Sequence, residues 1–248
     1  MAGGQPDPSS TLTAGPGAPR PEALSPGSRL GRYVVEGLLG GGGAGTVYAA
    51  RDEALGREVA LKILGGDSLL QQGRALGEAK ALARVSHPNV VAVYEVGAAD
   101  GLAFIAMERL RGVTLGLWLV AAPRSWREVL GACLQAGRGV AAAHAAGLVH
   151  RDVKPSNVLV DGSGRVAVTD FGLARQVAEG EVADGSGTPA YMAPEQRAGE
   201  RVGPWTDQYA FCLLALEALA GRAPGAVTRC LQRGMAREPA RRFPSMDA

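Results

Sequence analysis

The sequence is poor in cysteine, histidine and aromatic residues. Of 248 residues only three are cysteine and three are histidine, and Phe, Trp and Tyr together make up 5%. Cys133, Cys212 and Cys230 lie in apolar, helix-like contexts without CxxC spacing, which predicts buried, reduced thiols and excludes a disulfide framework or a zinc site. Three scattered histidines are too few for a metal cluster. We therefore expect a cytoplasmic protein without disulfide bonds.

Neither a charge excess nor a long hydrophobic run is present. The 26 Lys and Arg residues nearly balance 24 Asp and Glu, and a net charge of +2 predicts no attraction to nucleic acid or anionic lipid. The longest apolar stretch, Tyr209–Ala220, is too short for a membrane span and contains Glu217, so it predicts a buried helix. The N-terminus has Gly, Pro and Ser where a signal peptide would be apolar, which predicts no signal peptide.

The residue types divide the chain into three regions. Residues 1–29 are rich in Pro, Gly and Ser, which predicts a disordered tail. Within 30–110, short alternating apolar runs predict antiparallel strands, with a helix inserted at about 69–85. The predicted strands are Tyr33–Leu39, Thr46–Arg51, Glu58–Leu64, Val90–Val96 and Leu102–Glu108. Within 111–248 helical periodicity dominates, so the expected fold class is α+β.

Local signals place several elements in the helical region. Ser125 with Glu128 three residues later is a capping-box signature, and Gly147 can close the helix that begins there. A short hairpin is predicted within 158–169, around a Gly-rich turn. The apolar stretch predicts a helix from about Asp207 to Leu219.

The first segment of chemical interest is Gly40–Val47, which fits GxGxxGxV between two predicted strands. Glycines let backbone amides approach phosphates and donate hydrogen bonds to them. Taken alone, the segment is equally compatible with a flexible linker. A dinucleotide site is disfavoured because it requires a helix directly after the glycines, whereas the strand Thr46–Arg51 follows. Lys62, in the third strand, is either a solvent-facing charge or a phosphate-binding group.

Three later segments concentrate polar and charged residues. His150–Asn157 reads HRDVKPSN, a density of functional residue types that a generic charged turn explains poorly. Asp170–Gly172 reads DFG and follows the predicted hairpin. Gly187–Glu195 reads GTPAYMAPE. Each segment alone is a modest signal, but their order and spacing are specific.

Together these five segments resemble the signature set of protein kinases. The sequences of three segments, HRDVKPSNVLV, DFGLAR and GTPAYMAPEQ, are most similar to bacterial serine/threonine kinases of the eukaryotic-like type. The resemblance covers about residue 30 to the C-terminus. It implies a bilobal fold with a five-stranded antiparallel small lobe, one small-lobe helix and a mainly helical large lobe. It also implies that a phosphoryl group passes from ATP, with Mg²⁺, to a Ser or Thr hydroxyl of a protein substrate.

The resemblance assigns roles to four residues of the large lobe. Asp152 would accept the proton of the substrate hydroxyl and orient that hydroxyl. Lys154 would neutralise the phosphoryl group in transit. Asn157 and Asp170 would hold two Mg²⁺ ions, for which oxygen ligands are suited.

The remaining implied residues bind the nucleotide. Lys62 would contact the α- and β-phosphates and pair with Glu78, the acidic residue of the predicted small-lobe helix. Val47 and Ala60 would form the roof of the adenine pocket and Leu159 its floor. The full implied set, which includes a gatekeeper methionine and two residues whose backbone binds the adenine edge, is Leu39, Gly40, Gly42, Gly45, Val47, Ala60, Lys62, Glu78, Met107, Glu108, Leu110, Leu159 and Asp170.

Further implied contacts are architectural. Asp207 resembles the aspartate that anchors the backbone of the HRD segment. Glu195 resembles a glutamate that pairs with a late arginine, for which Arg242 fits. Thr188 resembles the threonine near the HRD aspartate that helps to select serine or threonine as the acceptor.

The sequence departs from the family after Asp207. Only 35 residues (242 − 207) separate it from Arg242, and the helix that helps to dock protein substrates is expected to be missing. A pseudokinase-like module that binds a nucleotide or a partner is therefore the alternative function. A small-molecule phosphotransferase is a third possibility, against which Gly187–Glu195 argues. Ser186 is the candidate phosphorylation site, with Arg151 as its expected partner. Alternatively, Glu179, Glu181 and Asp184 supply a constitutive negative charge to Arg151.

Overall fold

The computed structural model describes residues 24–42, 45–64, 77, 79–171, 175–176 and 187–248. A strand-rich small lobe precedes a mainly helical large lobe, which confirms the predicted α+β class. The first 23 residues, most of the predicted helix at 69–85, Gly172 and Ser186 lie outside the described part.

The small lobe is built on one antiparallel sheet. Its six strands are β1 Arg29–Leu30, β2 Tyr33–Gly42, β3 Gly45–Asp52, β4 Arg57–Leu64, β5 Val93–Ala99 and β6 Leu102–Glu108, in the order β1-β2-β3-β4-β6-β5. The five predicted strands are confirmed, and β1 is an addition. The fourth predicted strand, which is β5, begins at Val93 instead of Val90 because Val91 donates its N–H to the Val168 carbonyl of the large lobe, at 3.0 Å.

The two faces of this sheet have different neighbours. Successive side chains of a strand point to opposite faces. In β4, Val59 and Leu61 enter the core on the outer face. Ala60 and Leu64 face the cleft between the lobes, and Lys62 shares their face by the same alternation. The alternation of side chains along β4 therefore directs Lys62 into an otherwise apolar cleft.

The chain before β1 contacts the outer face of the sheet. Gly27 donates its N–H to the Val35 carbonyl at 2.8 Å, and Leu24 packs against the outer core. On the opposite face, residues 79–82 are helical, and Ala79 packs in the cluster that contains Ala60 and Leu64. The domain boundaries at 29 and 110 stay predictions.

The large lobe contains the remaining elements. They are β7 Gly112–Thr114, α1 Leu115–Ala121, α2 Trp126–Ala145, β8 Leu148–Val149, β9 Val158–Asp161, β10 Val166–Val168, β11 Arg175–Gln176, α3 Pro194–Arg197, α4 Pro204–Leu219 and α5 Gly225–Gly234, with 3₁₀ turns at Pro155–Asn157 and Pro239–Arg241. Strands β10, β9 and β7 pair in that order, and β11 pairs with β8. The predicted hairpin is β9–β10.

Local sequence signals explain where the two long helices begin. The predicted capping box of α2 is present, since Ser125 Oγ accepts the Glu128 N–H at 3.3 Å and the Glu128 carboxylate accepts the Ser125 N–H at 2.8 Å. Helix α4 begins three residues before the predicted Asp207. Pro204 suits the first helical position, and Thr206 Oγ1 accepts the Gly203 N–H at 3.2 Å.

The end of the large lobe is short, as the sequence spacing predicts. Residues 220–224 connect α4 to α5, and in the described part of the chain α5 is the one α-helix between α4 and Arg242. Residue 220 takes a left-handed conformation, with φ of 46°, where α4 ends.

The cysteine prediction is correct for two of three residues. Cys133 and Cys212 are buried, and burial raises the pKa of each thiol to about 12. Cys230, in α5, is exposed, contrary to the prediction. Among the described residues, no helix combines the length and apolarity that crossing a membrane requires.

Gly139, in the middle of α2, sets the distance between this helix and the segment that enters the small lobe. A Cβ added there would lie 2.2 Å from the Asn89 carbonyl oxygen, whereas a Cβ at Gly131 of the same helix meets nothing within 4 Å. We expect Gly139→Ala to lower the free energy of unfolding by about 1–3 kcal/mol. Gly131→Ala is expected to raise it by up to about 1 kcal/mol. Urea denaturation of both variants checks the pair, and equal effects would contradict the packing described.

Candidate active site

The loop between β8 and β9 is held by a buried carboxylate from α4. Asp207 accepts the backbone N–H groups of His150 and Arg151, each at 2.7 Å, and contacts His144 Nε2 at 2.8 Å. Burial alone would raise the pKa of Asp207. The hydrogen bond and charge of His144, together with the charge and backbone N–H of His150, instead hold that pKa below its ordinary value. The predicted anchoring contact is therefore present, and its carboxylate is ionised.

Backbone strain is concentrated at two positions of this region. Arg151 has φ of 64° and Asp170 has φ of 59°, in the left-handed region that costs a non-glycine residue about 1–3 kcal/mol. Asp207 holds Arg151 from its N–H, and Gln196 Nε2 donates to the Arg151 carbonyl at 3.0 Å. Strain that the surroundings enforce in this way is typical of functional sites.

Asp152 has its carboxylate oriented by three donors. Thr188 donates its backbone N–H to Oδ1 at 2.9 Å, and Lys154 Nζ lies 2.7 Å from Oδ2. Asn157 Nδ2 donates to the Asp152 carbonyl at 2.9 Å and approaches Oδ2 at 3.3 Å. Lys154 Nζ also donates to Thr188 Oγ1 at 2.6 Å. The structure thus brings four predicted residues together around one carboxylate.

The two lobes meet at an ion pair. Lys62 Nζ of β4 lies 2.7 Å from Asp170 Oδ1, although 108 positions separate the two residues. Lys62 is buried, whereas the Asp170 side chain is 37% exposed. Glu78, the predicted partner of Lys62, lies outside the described residues, so that pair stays a prediction.

Asp170 is connected to the loop that holds Asp152. Thr169, directly before it, donates its N–H to the Asn157 carbonyl at 2.9 Å. Its own carbonyl contacts His150 Nε2 at 3.0 Å, and the His150 ring lies 4.4 Å from that of Phe171. These contacts place Asp170 beside the loop of residues 150–157.

The residues predicted for the adenine pocket share one apolar cluster across both lobes. Ala60 and Met107 are buried in it, and the partly buried Val47, Leu110 and Leu159 pack against it. Ala60 and Met107 are paired neighbours in strands β4 and β6. The Glu108 N–H donates to the Ala92 carbonyl at 2.8 Å, so the backbone of Glu108 can offer a base only its carbonyl oxygen.

The glycine-rich segment forms the turn-side ends of β2 and β3. Gly40 pairs with Val47 and Gly42 with Gly45, and the register shifts at Leu39, which is 52% exposed. A Cβ at Gly40 would meet nothing within 4 Å, and Gly45 has φ of 129°. The tip itself, residues 43–44, lies outside the described part.

Asn157 and Asp170 were predicted as metal ligands. Both offer oxygen donors. Asn157 directs its amide NH₂ to Asp152, and its side-chain oxygen, on the other side of the amide, has a contact with Ser156 Oγ at 3.5 Å. Hard oxygen donors suit Mg²⁺. Among the described residues, no group of three or more His, Cys, Asp or Glu side chains could hold a metal by itself. A two-ligand site completed by phosphate oxygens fits Mg²⁺ better than a site made only of protein ligands.

The segment that follows Thr188 is held by a buried ion pair. Glu195 accepts from Arg242 Nη1 at 2.7 Å and from Nη2 at 2.8 Å, and both side chains are buried. Thr206 Oγ1 donates to the same carboxylate at 3.1 Å. The predicted pair is present despite the short chain between α4 and Arg242.

Two residues of the site region were not predicted from the sequence. Gln196 supports the strained Arg151 carbonyl, and its place directly after the predicted Glu195 is a signal that could have suggested it. Arg165 pairs with Glu108 across the lobes. No local pattern distinguishes Arg165 from a solvent-facing arginine in a turn.

The geometry defines a two-lobed protein with a lysine–aspartate pair between the lobes and an oriented aspartate in the adjoining loop of residues 150–157. Residues 33–238 match the protein kinase domain family, and the chain belongs to that family. Its similar proteins are named as bacterial serine/threonine-protein kinases.

Three of these relatives show the extent of the similarity. PrkC of Bacillus subtilis is 37% identical over 206 residues, which is 80% of this chain and 32% of the relative. PknA of Mycobacterium tuberculosis is 38% identical over 208 residues, 78% of this chain and 48% of the relative. PknL of the same species is 39% identical over 202 residues, 78% and 50% respectively. The chain therefore spans about a third to a half of the length of these relatives.

Proposed function

We propose that this chain transfers the γ-phosphoryl group of ATP, with Mg²⁺, to Ser or Thr hydroxyls of protein substrates. The observation that carries the proposal is the convergence of the Lys62–Asp170 pair with the oriented carboxylate of Asp152. Phosphoryl transfer depends on charge stabilisation and alignment more than on covalent participation of the protein. This cleft supplies both.

The chain provides the side chains that the proposed phosphoryl transfer requires. The substrate oxygen forms a bond to the γ-phosphorus, the bond from that phosphorus to the bridging oxygen breaks, and ADP leaves. Asp152 accepts the hydroxyl proton, and Thr188 keeps the Asp152 carboxylate in place for it. Lys154, already 2.7 Å from Asp152, neutralises charge on the phosphoryl group as it moves.

The nucleotide would lie in the cleft that the apolar cluster lines. Ala60 and Val47 cover the base from the small lobe, and Leu159 supports it from the large lobe. Lys62 contacts the phosphates. Asn157 and Asp170 would hold Mg²⁺, which when bound neutralises phosphate charge.

Acceptor selection is proposed to depend on Thr188. Its hydroxyl accepts from Lys154, and its N–H donates to Asp152, so the substrate oxygen must approach Asp152 next to this residue. The segment that carries Thr188 is fixed at its far end by Glu195 and Arg242. A fixed ledge beside the acceptor favours a protein chain over a small molecule as substrate.

A binding module without transfer activity is the second candidate. It is favoured by the short connection between α4 and α5, which provides little helical surface for docking a protein. In that case the cleft would still bind the nucleotide.

Incubation of the protein with γ-labelled ATP, Mg²⁺ and a generic acceptor such as casein separates the two candidates. We expect label on the acceptor, recovered after acid hydrolysis as phosphoserine and phosphothreonine and not phosphotyrosine. Nucleotide binding by calorimetry is measured on the same sample. Binding without transferred label would favour the binding module, and neither binding nor transfer would contradict both candidates.

A further inference from the structure

Arg165 lies directly before β10 and connects three segments of the chain. Both terminal nitrogens of its guanidinium donate to the Glu108 carboxylate, Nη2 at 3.0 Å. Its Nε donates to the Pro88 carbonyl at 2.7 Å. A bidentate contact of this kind is stronger and more directional than a single charged hydrogen bond. The side chain therefore links the large lobe to the end of β6 and to the segment that enters the small lobe.

The backbone on both sides of Arg165 is itself fixed to α2. Gln135 Oε1 accepts the Val166 N–H at 3.0 Å, and Gln135 Nε2 donates to the Gly164 carbonyl at 3.1 Å. Asn89 Nδ2 donates to the Val166 carbonyl at 2.6 Å. Arg165 thus extends from a rigid part of the large lobe, and its position does not depend on the pair with Glu108.

Glu108 is the point where the chain leaves the small-lobe sheet. Its N–H donates to Ala92, its carboxylate also approaches the Ala92 N–H at 3.4 Å, and its side chain is 20% exposed. The hydrogen bond from Arg165 holds the pKa of Glu108 below its ordinary range. The Glu108 side chain is therefore ionised, and its carboxylate is held by Arg165 and by the Ala92 N–H.

The two arginines that follow Glu108 pair with the small lobe instead of the large lobe. Arg109 Nη1 donates to Glu36 at 2.8 Å, and Arg111 Nε donates to Glu58 at 3.1 Å, both in the small lobe. Among the described side chains from 108 to 111, only Glu108 has an ion pair with the large lobe. The pair of Glu108 with Arg165 is thus the charged contact that fixes residues 108–111 relative to the large lobe.

We propose that Arg165 is a positioning residue for the adenine edge of ATP, an inference that rests on the proposed function. By holding the Glu108 side chain, it fixes the direction of the Glu108 carbonyl, which accepts a hydrogen bond from the 6-amino group of adenine. The preference for adenine over a purine without that group therefore depends on a large-lobe residue that does not touch the nucleotide. Without Arg165, Glu108 keeps its contacts with Ala92 but loses the bidentate contact that holds its side chain toward the large lobe.

The test compares the affinities of ATP and purine riboside triphosphate, which lacks the 6-amino group, by titration calorimetry with Mg²⁺. The wild-type protein is expected to bind ATP about fivefold more tightly, the effect of one neutral hydrogen bond. In Arg165→Met this ratio is expected to fall to about one, through weaker ATP binding with unchanged binding of the analogue. Arg165→Lys, which keeps a charge but not the bidentate contact, should give an intermediate ratio.

Arg29→Met is the matched control. Arg29 also makes a bidentate pair with a glutamate, Glu53, at 2.5 and 3.0 Å, but on the outer surface of the small lobe. It should keep the wild-type ratio. A wild-type ratio in Arg165→Met would overturn the proposal, as would an equal loss of affinity for both nucleotides, which indicates a purely structural role. A wild-type protein that binds neither nucleotide would instead overturn the proposed function itself.

Discussion

Asp152→Asn is expected to reduce phosphoryl transfer by about 10³-fold, the scale of a positioned general base. Asparagine has nearly the same shape and can still accept the Thr188 N–H through its side-chain oxygen. It lacks the negative charge that pairs with Lys154 and that we propose accepts the substrate proton. Transfer of label from γ-labelled ATP measures the loss, and the affinity for ATP should remain within about twofold because Asp152 does not contact the nucleotide in the proposed arrangement.

Asp100→Asn is the control for this substitution. Asp100 is exposed in the turn between β5 and β6, where its carboxylate accepts the Gly31 N–H at 3.4 Å. This variant should keep both the stability and the transfer activity of the wild-type protein. Equal activity of Asp152→Asn and the wild-type protein would remove Asp152 from the chemistry. An equal loss in both variants would mean that the loss comes from destabilisation.

Arg242→Met is expected to lower the free energy of unfolding by about 3–5 kcal/mol. The substitution leaves the Glu195 carboxylate buried with only the Thr206 hydroxyl as a hydrogen-bond donor among its described partners. An unpaired buried charge is costly because the interior cannot replace the water that would solvate it. Urea denaturation of the whole chain, followed by tryptophan fluorescence, measures the change.

The neighbouring residue provides a control for Arg242. Arg241 pairs with Glu238 at 2.8 Å, but both side chains are mostly exposed, 74% and 63%. Such a pair contributes little, so Arg241→Met should stay within about 1 kcal/mol of the wild-type protein. The double variant Glu195→Leu with Arg242→Met should recover part of the loss, since it removes both charges. Equal destabilisation by Arg241→Met and Arg242→Met would contradict the assignment of the buried pair.

Much of the fold could be predicted because its local rules are strong. The short apolar runs predicted five of the six strands of the small-lobe sheet, and the capping box at Ser125 predicted the beginning of α2. The start of α4 was wrong by three residues because Pro204 suits a first turn that the apolar pattern does not show. The two-residue β1 was missed because strands so short have no periodicity.

The site could be predicted where one chemical task requires fixed residue types at fixed spacing. His150–Asn157 is such a segment, and the structure brings its Asp152 together with Thr188, 36 positions away. The pair of Arg165 with Glu108 could not be predicted, because either residue could have paired with many exposed partners. The exposure of Cys230 could not be predicted either, since a short apolar context does not specify which face of α5 is covered.

A crystal structure of the protein with Mg²⁺ and an unreactive ATP analogue tests the central claim most directly. The account predicts the metal on the side-chain oxygens of Asn157 and Asp170, Lys62 in contact with phosphate, and the terminal phosphate facing Asp152. A nucleotide bound outside the cleft between the lobes, or a terminal phosphate that faces away from Asp152, would contradict it.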